Sequence, residues 1–546
     1  MDSLMQGAAG MQTDDLLDDL SEPLLAYHQL SKHHLQGYAA GPETLDWDDQ
    51  PDPFRHFAQA TYIDLPFADA DYLNVNVSHL FCGDAPSQQL SLETLSLFLC
   101  FSAGLSAWKT FGIDRWSLRV VPSSGNLHPG ELYLLLPSTG FCKAGLYHYD
   151  VFHHRLTLRS LLPDHVEGAV YLIQTSVLQR EAWKYGVRSL RYCWLDAGHQ
   201  RAQCQAVAGL LGWSLVDIST ARTLLSQLCG LNRPEYAEVE QEYPQWVCQL
   251  HFTYSENAAA TVLEKLASSA AINWSGQPSR LAPPPLQTWK QPFAIAEQLE
   301  VAVTAVRHFP QSDDLPGDFI GAEADPWKLI LSRRSGQAYA AESAYPRQLF
   351  EQMMAALQSG GSRLLPDSPQ VHLLCFIHSV EGLAPGIYLI PRSEEGARLF
   401  LRELQRWQPW DDAELNGIAT AWRMKTANTR KAAGQLCCNQ AIAAGSSFTL
   451  IFLAEFDSPM NNSQGRVCPQ LYEETGMLGQ QIYLHSTAQG YSGTGIGCFF
   501  DDAIHELIGL KSQSLQALYG FAVGEPLRDE RITQLSGYYH LRERFV

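Results

Sequence analysis

Apolar residues recur at helical spacing at Leu92, Leu95, Phe98 and Leu99, just behind Ser91 and Glu93, and this spacing predicts a helix over 90–105 with Ser91 as its N-cap. Beyond it, short apolar runs bounded by turn residues predict strands around Leu132 to Leu136, over 145–149, over 170–177 and over 245–252. A second helix is predicted from about Arg191 to Leu211, with Ala202, Ala206, Ala208 and Gly209 giving it a face for close packing. The pattern then returns. Residues 345–357 repeat the first helix, 371–377 the Tyr133 strand, 385–389 the 145–149 strand, 448–454 the 170–177 strand, and 476–490 the helical segment 198–212. Five matches in one order indicate two copies of one unit mixing helices and strands, fused into a pseudo-dimer. The organisation expected is an acidic N-terminal arm over 1–60, a first domain over 61–254, an Ala-, Ser- and Pro-rich linker over 255–325 with a short helix around 294–306, and a second domain over 326–546.

Composition narrows the class. The chain has 546 residues, enough for two domains, and its net charge of −20 argues against nonspecific affinity for nucleic acid or an anionic membrane surface. No apolar run reaches the ~18 residues that span a bilayer, and the start, rich in Asp, lacks the basic and apolar regions of a signal peptide. Twelve cysteines without C-x-x-C spacing read as reduced, mostly buried thiols, so the expectation is a soluble cytoplasmic protein. His28, His33, His34, His148, His153 and His154 read as surface or exposed strand residues, and no metal site is expected.

The richest chemistry lies in one loop. Pro122, Ser123, Ser124, Gly125 and Asn126 place a fixed φ, two hydroxyls, a permissive backbone and a carboxamide just before an apolar strand. With the flanking Leu127-His128-Pro129 and Glu131-Leu132-Tyr133, this stretch resembles the P-S-S-G-N loop of the FMN-dependent nitroreductase superfamily, and its SagB/ThcOx branch in particular. The resemblance implies an α+β fold of two tandem nitroreductase-like domains, each a mainly antiparallel sheet flanked by helices, with this loop reaching across to a flavin held by the other copy.

The second half supplies what the first lacks. Ser332-Arg333-Arg334-Ser335, read as standing before a helix, resembles the superfamily's R-R-S motif, which implies contacts from Arg333, Arg334 and Ser335 to the flavin's ribityl-phosphate and pyrimidine edge. The family's further basic residue is missing, since Gly336-Gln337 follow. Gly493-Thr494-Gly495-Ile496-Gly497 opens no helix and is not read as a dinucleotide fingerprint; it resembles the segment whose backbone lies against the isoalloxazine, which implicates Gly495, Ile496 and Gly497. Val523-Gly524-Glu525-Pro526, followed by Arg528 and Arg531, resembles the superfamily's closing strand; the resemblance implies a phosphate contact from one of these two arginines, and Arg531 is the preferred one. Lys184-Tyr185 resembles the Lys-Tyr pair of azoline dehydrogenases and is the expected catalytic pair, although neighbours on a regular strand cannot both face one site. Asp196 and His199, one turn apart, are assigned structural hydrogen bonding only.

One complete site and one degenerate site imply one FMN per chain. The resemblance implies a dehydrogenase of the azoline (thiazoline or oxazoline) oxidase type acting on a peptide or small molecule, in a monomeric pseudo-dimer with possible biosynthetic partner enzymes. An NAD(P)H-dependent nitro or quinone reductase and a noncatalytic scaffold of a biosynthetic complex are the alternatives.

Overall fold

Two seven-stranded sheets repeat one order over six strands and differ in one edge strand, which comes first along the chain in the first sheet and between two others in the second. The first runs Tyr62–Asp64, Arg155–Leu161, Gly145–Asp150, Gly130–Leu136, Val170–Val177, Glu242–His251, Ser214–Asp217. The second runs Asp411–Asp412, Trp422–Thr426, Gly386–Ile390, Val371–Ile377, Phe448–Glu455, Leu515–Gly524, Ser492–Ile496. All pairings within them are antiparallel, with Leu134 opposite Leu172 in the first and Leu374 opposite Ile451 in the second. The central strands are buried on both faces, which is why they read as continuous apolar runs instead of alternating ones. This computed structural model describes residues 19–162, 169–236, 240–252, 263–264, 273–285, 287–310, 321–510 and 512–545. The first 18 residues of the expected arm, the expected domain end at Tyr254, and 255–262, 265–272, 286 and 311–320 of the expected linker lie outside the described residues.

Ser91 does cap the first helix: its hydroxyl accepts from the Thr94 N–H while the Thr94 hydroxyl accepts from the Ser91 N–H. The two repeated long helices, Ser189–Leu210 and Val467–Ala488, have 22 residues each and pack against one another between the sheets. Their tenth residues, Gly198 and Gly476, face the opposite backbone: a Cβ on Gly198 would lie on the Glu473 carbonyl, and one on Gly476 on the Leu195 carbonyl. The close approach therefore uses these two glycines, whereas the expected Gly209 packs against His79 and Gly83. One apolar cluster continues across the contact, from Trp194 and Leu195 to Tyr472 and Leu478, so the two halves share a core.

Every residue of Ser189–Leu210 is buried, polar ones included. Each buried polar group there needs a partner. Arg191 pairs with Asp501 at 2.7 Å, Arg201 with Asp217 at 2.8 Å, and Gln200 and Gln203 donate to the carbonyls of Ser102 and Phe101.

Strand exchange and an arm tie the halves further. Thr533–Ser536 leaves the second half and pairs with Leu105–Phe111 of the first, beside Asp114–Arg119, in a separate three-stranded sheet. The arm helix Ser21–Leu30 docks on the second half, not only on the domain that follows it: the Leu20 N–H donates to Gln464, His28 meets Gln516, and Lys32 pairs with Asp502 at 2.8 Å. Within the expected linker lie a helix, Lys290–Gln298, and a short 3-10 turn, Leu299–Val301.

Several expectations are corrected. His28, His33, His148 and His154 are buried, because each has an internal partner that replaces water. His148 lies 2.8 Å from Glu131, which also takes a 2.6 Å contact from Arg180, and His154 bridges Ser96 and Tyr149. Ten cysteines are free, but Cys438 and Cys498 form a disulfide. Among the described residues no helix is long and apolar enough to cross a membrane.

Candidate active site

A cavity of about 380 Å³ lies between the halves and is lined by both. From the first half come Val121 to Asn126, Tyr185, Tyr192, Asp196 and His199; from the second, Arg333 to Ser335, Tyr483 and Thr494 to Cys498. Of the expected cofactor residues, all but Arg531 meet here.

The loop is held from beneath. Asp196 accepts from both the N–H and the hydroxyl of Ser124, at 3.2 and 3.1 Å, and the Ser123 hydroxyl accepts from the His128 N–H at 2.8 Å. Gly125, at φ +61, takes the left-handed conformation that glycine adopts without strain. Asn126 is engaged within the loop, donating to Ser117 and meeting the His128 ring.

Lys184 and Tyr185 do not follow a strand. They end the helix Leu178–Tyr185, so pleat alternation does not apply and both reach the loop. A Cβ on Gly125 would lie 2.6 Å from Tyr185 Oη and 3.2 Å from Lys184 Nζ. Burial holds the Tyr185 hydroxyl well above its usual pKa, with Glu181 adding to the effect, so it keeps its proton.

Arg333-Arg334-Ser335 follows a helix instead of preceding one. Asp325 caps that helix, Pro326–Ser332, and Arg333 is its C-cap residue. The buried Arg333 guanidinium donates to the carbonyls of Val120 and Arg119 and covers the Tyr483 ring at 5.0 Å, while its Nη1 has no partner. Arg334 Nη1 donates to backbone carbonyls at 2.7 Å, and its Nε and Nη2 to Gln534 on the exchanged strand. Burial, then the neighbouring Arg333, lowers Arg334 to about 10. Lys109 is lowered by burial and by both arginines. Among the described residues none of these three cations forms an ion pair with a carboxylate, so this wall is electropositive.

The opposite wall is made by backbone. Gly495 N–H donates to Tyr483 Oη, which also meets Ser335 Oγ at 2.8 Å. A Cβ on Gly495 would lie on Tyr519 Oη, and one on Gly497 on the Tyr192 ring. Only glycine leaves both tyrosines in place. The glycines belong to the edge strand Ser492–Ile496 and the residue after it, in keeping with the rejected dinucleotide reading.

Arg531 stands apart: it is exposed and paired with Asp529 at 2.7 Å, because the chain turns outward before Thr533–Ser536. Sequence reasoning also missed Lys109, Tyr192, Tyr483, Tyr519 and Cys498, which are local only in three dimensions and carry no motif of their own. Asp196 and His199 belong to the cavity as well. Burial raises Asp196 to about 7 and lowers His199 to about 3.

The equivalent place across the pseudo-twofold is closed. Glu474, like Asp196 the eighth residue of its helix, accepts from the Gln370 and Val371 N–H groups and pairs with Arg392 at 2.5 Å. Arg363 Nη1 donates to Gly83 O at 2.8 Å, and the Arg363 N–H donates to Phe81 O.

Residues 330–525 match the family model "Nitroreductase family". The chain shares its fold with a candidate nitroreductase of Anabaena variabilis, with a TM-score of 0.67 over 92% of this chain and 99% of that one at 20% identity. The fold and the family match define a nitroreductase-like protein. Among curated proteins the chain is similar to the trifolitoxin-processing protein TfxB of Rhizobium leguminosarum bv. trifolii, 25% identical over 169 residues, or 30% of this chain; the match spans 44% of that relative's length.

Proposed function

We propose that this chain is an FMN-dependent oxidoreductase, a dehydrogenase of the azoline type that acts on a peptide or small molecule, with one composite site per chain. The observation that carries the reading is the cavity's division: three cations without carboxylate partners on one wall, and on the other a backbone that must be glycine. The cation wall suits the phosphate and polar edge of FMN, through Arg333, Arg334, Ser335 and Lys109. The glycine wall, Gly495 to Gly497, and the loop Pro122 to Asn126 suit the two sides of a flat ring. FMN, when bound, supplies hydride transfer.

The chain's own residues would manage position and protons. Tyr185 keeps its proton and can donate a hydrogen bond, and Lys184 Nζ stands beside it at the loop. Asp196, raised to about 7, fixes the loop through Ser124. Similarity to a toxin-processing protein supports a substrate that is a peptide in maturation, and partner enzymes that bring it.

The test is the visible spectrum of the purified protein, with released cofactor quantified per chain. About one FMN per chain is expected. No flavin after reconstitution would overturn the reading, and two per chain would overturn the single composite site.

A further inference from the structure

Two of the twelve cysteines differ from the rest. The free thiols are almost all buried, and burial pushes Cys437, Cys468 and Cys100 up to about 12, which makes them poor nucleophiles. Cys438 and Cys498 are half-buried and joined to each other. Cys498 itself lines the cavity next to Gly497, as does Gln440, whose Nε2 donates to the Cys498 carbonyl at 3.1 Å. The bond crosses from the strand wall to the segment after the helix Arg430–Leu436, which the chain reaches only 60 residues apart in sequence.

The backbone at Cys438 is unusual. Cys438 and Asn439 both have positive φ, 54° and 59°, and neither is glycine. Consecutive left-handed residues of this kind are strained and persist where surrounding structure enforces them. Asn439 also borders an open groove on the outer side, with Leu436 and Phe500. The disulfide thus has the cavity on one side and solvent on the other.

We infer that Cys438 and Cys498 form a redox-active couple that carries an electron pair out of the cavity, so that the chain is also a dithiol–disulfide oxidoreductase; this rests on the cavity's holding FMN. In that step the S–S bond breaks and the two sulfurs gain one electron pair and two protons. The two-electron-reduced flavin loses the same pair with one proton and returns to its oxidised form, and solvent gives the second proton. The resulting dithiol is oxidised back to the disulfide by exchange with an outside disulfide, which takes the pair and two protons and becomes two thiols. The class of electron acceptor is therefore a small or protein disulfide reached from the groove side. Cys437, adjacent in sequence but buried with a raised thiol, takes no part.

The full chain loaded with FMN is reduced anaerobically by light with EDTA, quenched in acid, denatured and alkylated, and each cysteine is counted by mass spectrometry. Bound flavin is measured beforehand from its absorbance. Ten alkylated cysteines are expected at rest and twelve after reduction, the new pair being Cys438 and Cys498. The same light without FMN should leave ten, and Cys437→Ser should still gain two. Cys498→Ser should gain none and should slow flavin reoxidation by oxidised glutathione at least tenfold. If FMN binds and is reduced but the pair stays oxidised, or if all twelve thiols are free at rest, the couple is refuted and the flavin reading stands. If no FMN binds, the flavin reading fails first and the couple with it.

Discussion

Two equivalent places in this molecule have opposite fates. Between Arg333 and the Ser124 loop the chain leaves cations without carboxylates around a cavity of about 380 Å³. Across the pseudo-twofold, Glu474 has Arg392, and Arg363 is spent on the Gly83 carbonyl. The carboxylates Asp196 and Glu474 occupy the same helical position and both hold a loop by its N–H groups. What separates the two places is that three cations without carboxylate partners line one cavity, whereas across the pseudo-twofold Arg392 is paired with Glu474. Charge left without a counter-ion is costly, and the gathering of three such cations around one cavity marks where an outside anion belongs.

The largest effect should come from the element both places share. Gly476→Ala puts a methyl group onto the Leu195 carbonyl and should destabilise the chain by about 3 kcal/mol or more, seen as one cooperative shift in denaturant midpoint. Separate transitions for the two halves would show them to be independent. Next, Arg333→Ala should weaken FMN binding by roughly 10- to 100-fold, as expected for a lost charge-assisted contact. Arg363→Ala should leave affinity within about twofold and stoichiometry at one, while costing about 1–3 kcal/mol of stability; dialysis against FMN distinguishes the two, and a second bound FMN in the latter variant would break the comparison.

A pH series sharpens it. The folded pKa of Asp196, about 7, lies above the ordinary 3.8, so the folded state holds that proton more tightly. Its share of stability is therefore greatest at low pH, declines as pH rises from about 4 to 7, and is lost above 7. Asp196→Asn should flatten this decline, read as the wild-type minus variant midpoint between pH 5 and 8; an unchanged difference would refute the shift. Smallest of all, Arg531→Ala should change FMN affinity less than twofold, since its side chain is exposed and pairs with Asp529.

The repeat was legible because strands buried on both faces leave long apolar runs, and the Ser124 loop because its turn chemistry is dense. The histidines misled because a buried imidazole with a carboxylate partner, such as His148 with Glu131, has the same local pattern as an exposed one. Lys184-Tyr185 was misplaced because a helix of only eight residues follows the strand directly, at Leu178. The tyrosines behind Gly495 and Gly497 had no signal: the glycines showed that something approaches, and only the packed chain shows what. Arg531 failed as a phosphate contact because its distance from the site depends on where the exchanged strand leaves the second half.

That exchanged strand also sets an order of events during synthesis. The edge of Leu105–Phe111 is made early and has to wait for Thr533–Ser536, more than 400 residues later. At ~5–20 residues per second the wait is on the order of tens of seconds, with an unpaired edge able to recruit other strands. A ribosome-bound chain that stops short of residue 533 would lack the Gln534 anchor of Arg334 and present that open edge to chaperones or proteases, so the strand makes the cavity's final assembly a checkpoint on having been translated this far.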